Sequence, residues 1–384
     1  MPVESSSAHE NSERNSGIEL LKIIALFLIG VSHVVNTLRI AGVHIPYNEF
    51  VVDISIAATD VKHFILMLFS YFGVLGNNIF FISSAWFLLR SSKYNKRKWF
   101  FMFLEIWLIS IIILILTLIN RHGNISPDII LYSIFPTTFS NNWYLTCYLL
   151  FYPIHPLLNM VINKLNRQDL FRISAAMFLL YFCLNFIIGG LFFASTIILW
   201  ITIYFVMAYF QLYLKDSVNS IKCNVILLIV GFTGYIGIAF LANYLGLRIP
   251  ALNNEVLHWA SFYNPFLLAI SLAMFNLMRK IVFRNKVINY ISSLSLLIYI
   301  IHENIILRTY YRPAMWNFVY QNYGYDHIIM WAFVLTIIVL MISFVISVIY
   351  DKTIRPCIKR IADSLYSSIR NIYLKLEAAV LKLH

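Results

Sequence analysis

Ten apolar runs of about 20 residues divide this chain, and they limit its fold more than any other feature. An α-helix needs roughly 20 apolar residues to cross a bilayer, where no water satisfies the backbone. The sequence therefore predicts an all-α integral membrane protein, a bundle of about ten transmembrane helices. The predicted spans are 18–40, 70–89, 99–119, 143–162, 173–189, 196–214, 223–245, 259–278, 288–308 and 328–350.

Two of these boundaries stay open. The stretch 61–72 is also apolar, so it either extends the second span or forms an interfacial helix on the outer side. Only Gly189 and Gly190 separate the fifth span from the sixth, which predicts a tight hairpin or a different division of the two. The first run carries Lys22 and has no small-residue cleavage site after it, so we interpret it as a retained helix and not a signal peptide.

The composition excludes several classes of protein. Hydrophobic residues make up 60% of the chain and charged residues 12%, against about 45–50% and about 25% in soluble domains. A soluble enzyme, a disordered chain and a disulfide scaffold are therefore excluded. The four cysteines lack metal-ligand spacing, so we expect reduced thiols and no metal.

The net charge of +12 is explained by topology. With the N-terminus inside, 23 of the 29 Lys and Arg residues fall on the cytoplasmic side, as the positive-inside rule requires. This predicts that both termini are cytoplasmic and that nucleic acid is not a partner. We divide the chain into a disordered cytoplasmic tail (1–16), a membrane domain (17–350) and a basic amphipathic tail (351–384) that lies on the inner leaflet.

Ionisable residues inside a membrane are costly and by default functional. In the first span, Lys22 and His33 point within about 20° of each other, about 16 Å apart along the helix axis, and Glu19 shares their face. Two simpler interpretations stay open. Glu19 and Lys22 are spaced to form an ion pair at the membrane edge, and a neighbouring helix can satisfy a neutral His33.

Two further spans carry polar faces, which together predict a polar cavity inside the bundle. On the fourth span the face is continuous only if Pro153 and Pro156 leave the helix unbroken. Trp143 and Tyr144 also fit an interfacial aromatic belt. The faces contain Tyr144, Tyr148, Tyr152, His155 and Asn159 on the fourth span, and Ser292, Ser295, Tyr299, His302 and Glu303 on the ninth.

Four segments carry recognisable motifs. The first span reads GIELLKIIALFLIGVSH, which places ten residues between Lys22 and His33, and the second ends in FFISSAWFLLR. The fourth contains NNWYLTCYLLFYPIHPLLN and the ninth SLSLLIYIIHE. In this order they resemble the membrane-bound acyltransferase-3 family, whose first helix has Arg or Lys, ten residues and then His.

The resemblance extends from residue 17 to residue 303. The chain departs from the family pattern at Lys22, where Arg is common, at Ala85, where glycine is usual, and at Leu296 and Leu297, where Leu-Gly is usual. None of these changes removes a group that the chemistry needs. The matching positions in the later motifs are Ser84, Trp143, Tyr144, Tyr148, Pro156, Asn159, Ser295, Tyr299 and His302.

The resemblance implies a multi-pass enzyme of the bacterial plasma membrane. It would move an acyl group, normally acetyl, from cytoplasmic acetyl-CoA to a hydroxyl of a carbohydrate outside the cell, such as exopolysaccharide, capsule or a lipid-linked glycan. We expect His33 to be the general base, because imidazole titrates near neutral pH. Glu19 and Lys22 complete the expected catalytic set, with Glu19 holding Lys22.

Phosphates of acetyl-CoA need cationic donors on the inner side. The expected donors are Lys22, Arg90, Lys93, Arg97 and Lys98, although the 90–98 loop also fits plain positive-inside topology. The expected substrate-binding residues are Trp143, Tyr144, Tyr148, Ser295, Tyr299 and His302. The oxyanion donor is expected among Tyr148, Ser295, Tyr299 and His302.

A polysaccharide exporter without acyl-transfer chemistry is the alternative function, since it too predicts polar faces and a basic inner side. Inverted repeats would favour it, and the sequence has no evident ones. Acidic and aromatic residues in the outer loops fit either sugar binding or ordinary solvated loops. The bilayer and a second copy of the chain are the remaining candidate partners.

Overall fold

The computed structural model describes residues 15–38, 53–120, 124–139, 142–188, 195–256 and 262–381. These residues form α-helices, with short π-helical segments at Leu179–Leu184 and Leu307–Tyr311 and a 3-10 helix at Pro250–Glu255. The α-helices are α1 Ser16–Val35, α2 Val61–Phe69, α3 Phe72–Leu88, α4 Lys96–Asn120, α5 Pro127–Ile134, α6 Trp143–Lys164, α7 Arg167–Phe178, α8 Asn185–Ile188, α9 Thr196–Tyr213, α10 Lys215–Asn219, α11 Ile221–Arg248, α12 Pro265–Lys280, α13 Lys286–Ser293, α14 Ser295–His302, α15 Arg312–Tyr323, α16 Ile328–Thr353 and α17 Arg355–Leu381.

The predicted all-α fold is confirmed for these residues. The disorder predicted for residues 1–16 falls mostly on residues 1–14, which lie outside the described residues, as do Gly189 and Gly190. For the last two residues the prediction is wrong, because the side chain of Asn15 caps α1 and Ser16 is its first, buried residue. Pro153 and Pro156 both lie inside the continuous helix α6, so the fourth polar face is not interrupted.

Eight helical stretches in the described residues are long and apolar enough to cross a membrane. They correspond to eight of the ten predicted spans, with α2 and α3 together forming the second. The eighth predicted span is the shorter helix α12, of 16 residues. The count of ten crossings stays a prediction.

The prediction of one continuous ninth helix is wrong. The helix breaks at Leu294, between α13 and α14, and α14 ends at His302. Serine hydroxyls compete for backbone partners at the break: Ser293 donates to the carbonyl of Tyr290 at 2.6 Å. Beyond α14, the side chain of Asn304 accepts from the backbone N–H of Ile306 and starts the next helical turn.

Helix α1 lies at the centre of the bundle and packs against α2, α3, α12, α13, α14 and α16. Its contact with α3 is very close, because glycines replace side chains there. A Cβ atom at Gly76 would lie 2.5 Å from the carbonyl oxygen of Ala25, and one at Gly73 would lie 2.6 Å from Ser32 Oγ. Small residues allow such close approach between membrane helices.

The exterior of the long helices is apolar. On α16, for example, Ile337, Met341 and Val345 are each about half exposed. Because lipid and not water surrounds such a surface, the charged side chains are expected to face the bundle interior or its ends. The interior accordingly holds buried ionisable residues, among them Glu105 and Glu303.

The C-terminal helix α17 packs against α4. Arg355, at its start, forms an ion pair with the buried carboxylate of Glu105 on α4, with Nε and Oε1 2.9 Å apart. Arg355 also donates to Asp351 at 2.8 Å. The basic helix predicted for the tail is therefore present, while its location on the inner leaflet stays a prediction.

Candidate functional site

A cavity of about 620 Å³ lies inside the bundle between α1, α3, α4, α6 and α14. It extends from charged residues near the start of α1 to Ile29, one turn before His33. Several of the residues predicted from the sequence line it together. Its lining includes Glu19, Lys22, Asn77, Ser84, Lys98, Tyr144, Tyr148, Ser295, Tyr299 and Arg355.

Lys22 and Glu19 form an ion pair at the end of this cavity near the start of α1, with Nζ and Oε1 3.3 Å apart. The Oγ atom of Ser292 donates to Glu19 Oε2 at 2.5 Å, so the break between α13 and α14 serves to orient the carboxylate. The structure thus contains the ion pair between Glu19 and Lys22 that the simpler interpretation predicts. The pair still lines the cavity and leaves the ammonium partly exposed to it.

A second, more open pocket of about 790 Å³ adjoins the cavity and shares Lys98 and Arg355 with it. Arg97 and Lys359 also line it, opposite Asp351 and Asp363. Four cationic side chains from α4 and α17 therefore surround one opening. Such a set suits an anionic group with several charged oxygens.

His33, at the far end of α1, contacts two residues that end α14. Its Nδ1 atom lies 2.8 Å from Glu303 Oε2 and 3.2 Å from His302 Nε2. The Nδ1 atom of His302 lies 2.9 Å from the carbonyl oxygen of Ile298. His302 and Glu303 are both buried, and the His33 side chain is 16% exposed.

These partners fix the tautomers of both histidines. A carbonyl oxygen only accepts, so His302 Nδ1 carries the proton and His302 Nε2 is an acceptor. The Nδ1–H of His33 then donates to the Glu303 carboxylate and to His302 Nε2. In a neutral His33 the lone pair is then on Nε2, which is the state that a general base requires.

Two arginines hold the carboxylate of Glu303. Arg308 Nη1 and Arg312 Nη2 each lie 3.1 Å from one of its oxygens. His33, His302 and Glu303 also have ligand atoms within 4.8 Å of one another, as a metal site would. Two guanidiniums beside the carboxylate oppose a cation, so the arrangement favours a hydrogen-bonded His–Glu pair over a metal ion.

Two hydroxyl groups of the cavity wall have no hydrogen-bond partner among the described residues. They are Ser295 Oγ and Tyr299 Oη, both on buried side chains of α14. The ring of Tyr299 lies 6.4 Å from the ring of His33, measured between centroids. An unsatisfied buried donor is costly, so these two hydroxyl groups are available to hydrogen-bond a water or a ligand in the cavity.

A family model described as an acyltransferase domain matches residues 15–350. The chain belongs to the acyltransferase-3 family. No curated protein and no solved structure gives a significant match to the chain. Together with its apolar helices, this membership makes the protein a multi-pass membrane acyltransferase. The match ends before α17, so the four-cation pocket of this acyltransferase combines the family domain with a helix outside it.

The acyltransferase brings most of the residues expected from its sequence to one cavity or its rim, but not all of them. Trp143 packs against Phe262, with ring centroids 4.8 Å apart, and is not among the cavity-lining residues. Arg90 stacks on Trp86 and lines a separate pocket with Lys215. Lys93 is exposed on the loop after α3.

The sequence did not predict the residues that surround His33 or the buried partner of the cationic pocket. Arg308 and Arg312 are two of the six Lys and Arg residues that the predicted topology places outside, and Glu303 is predicted on a polar face without a role. Glu105 and Arg355 received no role in the site either. Helical periodicity gave no signal for this contact, because at about 100° per residue the two arginines lie about 140° and about 180° around a helix from Glu303.

Proposed function

We propose that this acyltransferase moves an acetyl group from cytoplasmic acetyl-CoA to a hydroxyl of a carbohydrate on the outer side of a bacterial plasma membrane. The proposal includes ten membrane crossings with both termini in the cytoplasm. The excess of Lys and Arg on the inner side supports this topology. The carrying observation is one cavity that connects a cationic opening with the neighbourhood of His33.

The donor would bind at the cationic opening. Phosphate groups of acetyl-CoA suit Lys98, Arg97, Arg355 and Lys359, and its thin arm suits the cavity beyond Lys22. Lys22 and His33 lie about 16 Å apart along α1 by helix rise, so the thioester can approach the histidine while the phosphates stay at the opening. Arg90 and Lys93, expected from the sequence as phosphate ligands, lie outside this opening.

His33 Nε2 would take the proton of the acceptor hydroxyl as its oxygen bonds to the thioester carbonyl carbon. The tetrahedral intermediate then collapses, the carbon–sulfur bond breaks, and the imidazolium returns the proton to the CoA thiolate. Glu303 stabilises the transient imidazolium, much as a buried carboxylate does in a catalytic triad. Arg308 and Arg312 keep that carboxylate ionised and oriented.

The negative charge on the thioester oxygen needs donors that are free before the reaction. Tyr299 Oη and Ser295 Oγ meet that requirement, and Tyr299 is adjacent to His33. We assign the oxyanion role to Tyr299 and a substrate contact to Ser295. Tyr144 and Tyr148 form the aromatic wall along which the donor arm extends.

The test uses inner-membrane vesicles, radiolabelled acetyl-CoA and the variant His33→Ala. We expect transfer to the carbohydrate fraction to be lost at normal expression, and normal transfer would contradict the role of His33. A deletion strain separates the enzyme from an exporter. An enzyme mutant retains its surface polymer but loses the O-acetyl groups, whereas an exporter mutant loses the polymer itself.

A further inference from the structure

An apolar groove of about 560 Å³ opens on the outside of the bundle between α15 and α16. Its rim carries exposed apolar side chains, with Phe318 62% and Ile342 53% exposed. The groove is distinct from the donor cavity, because the two share no lining residue. Its lining includes His302, the partner of His33.

The groove follows α16 from Trp331 to Ser343. The twelve residue steps between them rise about 18 Å along the helix, slightly more than half of the roughly 30 Å hydrocarbon core. Helix α16 ends at Thr353 on the proposed cytoplasmic side, so Trp331 lies near the outer surface. The groove is therefore about as long as one lipid chain, and it lies at the level of the outer leaflet.

Two residues that line this apolar groove carry buried donors without partners. Arg312 is only 3% exposed, yet its Nε and Nη1 atoms have no hydrogen-bond partner within the described residues. Trp331 Nε1 is a second such donor in the same wall. Buried, unpaired donors of a guanidinium are costly, and an anionic oxygen would satisfy them.

The same arginine connects the groove to the reacting groups. Arg312 Nη2 lies 3.1 Å from Glu303 Oε2, and that oxygen lies 2.8 Å from His33 Nδ1. An anion bound by the free edge of Arg312 would thus lie close to the proposed base. A hydroxyl attached near that anion could reach His33 while the lipid chain stayed in the groove.

We propose that the groove between α15 and α16 binds the acyl acceptor, and that this acceptor is a sugar attached through a phosphate to a lipid chain. The lipid chain lies along α16, the phosphate meets Arg312 and Trp331, and the sugar hydroxyl faces His33. The inference rests on the proposed function, because it names the acceptor of that reaction. It makes access to the site lateral, from the outer leaflet, and independent of the donor cavity.

The binding test uses the full chain in phosphatidylcholine nanodiscs and a prenyl phosphate that carries a diazirine. After irradiation, we expect cross-links on α15 and α16. Unlabelled prenyl phosphate should reduce them at least fivefold more effectively than the matching prenyl alcohol. Equal competition by the alcohol, or equal labelling by a diazirine phosphatidylcholine, would mean that ordinary membrane lipid fills the groove and would overturn the proposal.

Two tryptophan substitutions on α16 test the location. Val339→Trp fills the groove, whereas Ile337→Trp adds the same bulk on the lipid-facing side, where Ile337 is 52% exposed. We expect Val339→Trp to lower cross-linking at least fivefold and Ile337→Trp to leave it unchanged. Ile338→Trp, at a more exposed groove position, provides a second blocking variant if Val339→Trp does not fold. Unchanged cross-linking in a folded groove variant contradicts the proposal.

An activity measurement separates this inference from the proposed function. With labelled acetyl-CoA, we expect at least tenfold faster transfer to a prenyl-phosphate-linked sugar than to the free sugar. Val339→Trp should remove that preference. Equal rates for both acceptors in the unaltered protein overturn the lipid-linked acceptor but leave the acyl transfer itself intact. Binding of prenyl phosphate without any acetyl transfer overturns the acceptor assignment and the proposed function together.

Discussion

The Nδ1 atom of His33 and the Oε2 atom of Glu303 lie 2.8 Å apart, although the two residues come from opposite ends of the chain's membrane domain. This contact fixes the tautomer of His33 and directs its free Nε2 lone pair away from the carboxylate. His302 shares the same proton, and two arginines hold the carboxylate. The orientation of the proposed base is therefore set by its partners as much as by its own side chain.

Replacing Glu303 with glutamine should greatly reduce acetyl transfer. Glutamine keeps the shape but not the charge that stabilises the imidazolium, and its amide can favour the wrong tautomer of His33. We expect kcat to fall by about 10²- to 10⁴-fold with little change in the KM for acetyl-CoA. Asp326→Asn, which alters only an exposed ion pair with Lys62, is the control. A Glu303→Gln variant with normal kcat would remove the carboxylate from the mechanism.

Tyr299→Phe should slow the reaction without destabilising the protein. The hydroxyl has no partner in the described residues, so its removal breaks no hydrogen bond in the resting protein. Loss of one oxyanion donor costs roughly 10²- to 10³-fold in kcat. Tyr350→Phe removes an equally buried, unpartnered hydroxyl beside Glu105 and should leave kcat unchanged. Similar kcat values for the two variants would argue against an oxyanion role for Tyr299.

Lys359→Gln should weaken donor binding and leave the chemical step intact. Lys359 lines the cationic opening from α17 and lies far from His33 in the proposed path. Because it is exposed, we expect the KM for acetyl-CoA to rise about three- to tenfold, with a smaller effect at high salt. Lys352→Gln changes an exposed lysine outside that opening and serves as the control. Equal KM values in both variants would place the phosphates elsewhere.

Glu105→Ala should destabilise the attachment of α17. It leaves Arg355 without its buried partner, and we expect a loss of about 2 kcal/mol, below the value for a fully buried pair because the guanidinium keeps some access to solvent. A lower thermal midpoint and faster proteolysis near residue 355 would report it. The double variant Glu105→Leu with Arg355→Met removes both charges and should recover part of the stability. Unaltered proteolysis in Glu105→Ala would show that the pair does not hold the helix.

The fold was predictable wherever a single helix satisfies all of its own backbone hydrogen bonds. Apolar length alone located α4, α6 and α16, because a lipid-facing helix needs little beyond 20 apolar residues. The region 288–308 was different. Its length and hydrophobicity fit one span, but the structure breaks the helix at Leu294. Beside that break Ser292 donates to Glu19, a contact between distant segments that no local pattern contains.

The site was predictable to the extent that one helix carried it. Helical geometry placed Lys22 and His33 on one face of α1. In the structure Lys22 lines the cavity, and His33 contacts Glu303 beyond its far end. Charge counting was less informative, because topology and ligand binding both favour lysine and arginine on the inner side. Arg90 and Lys98 are close in sequence, yet the start of α4 turns them to different pockets.

The central helix α1 sets a fixed distance between two side chains of the site. It is unbroken from Ser16 to Val35 and carries Lys22 at one level and His33 at another, so the separation between them cannot vary. A donor held at the level of Lys22 would present its thioester at the same height for a two-carbon or a longer acyl group. Selection among acyl groups of different length would then occur beyond the thioester, where the end of the acyl group meets Tyr299 and His33.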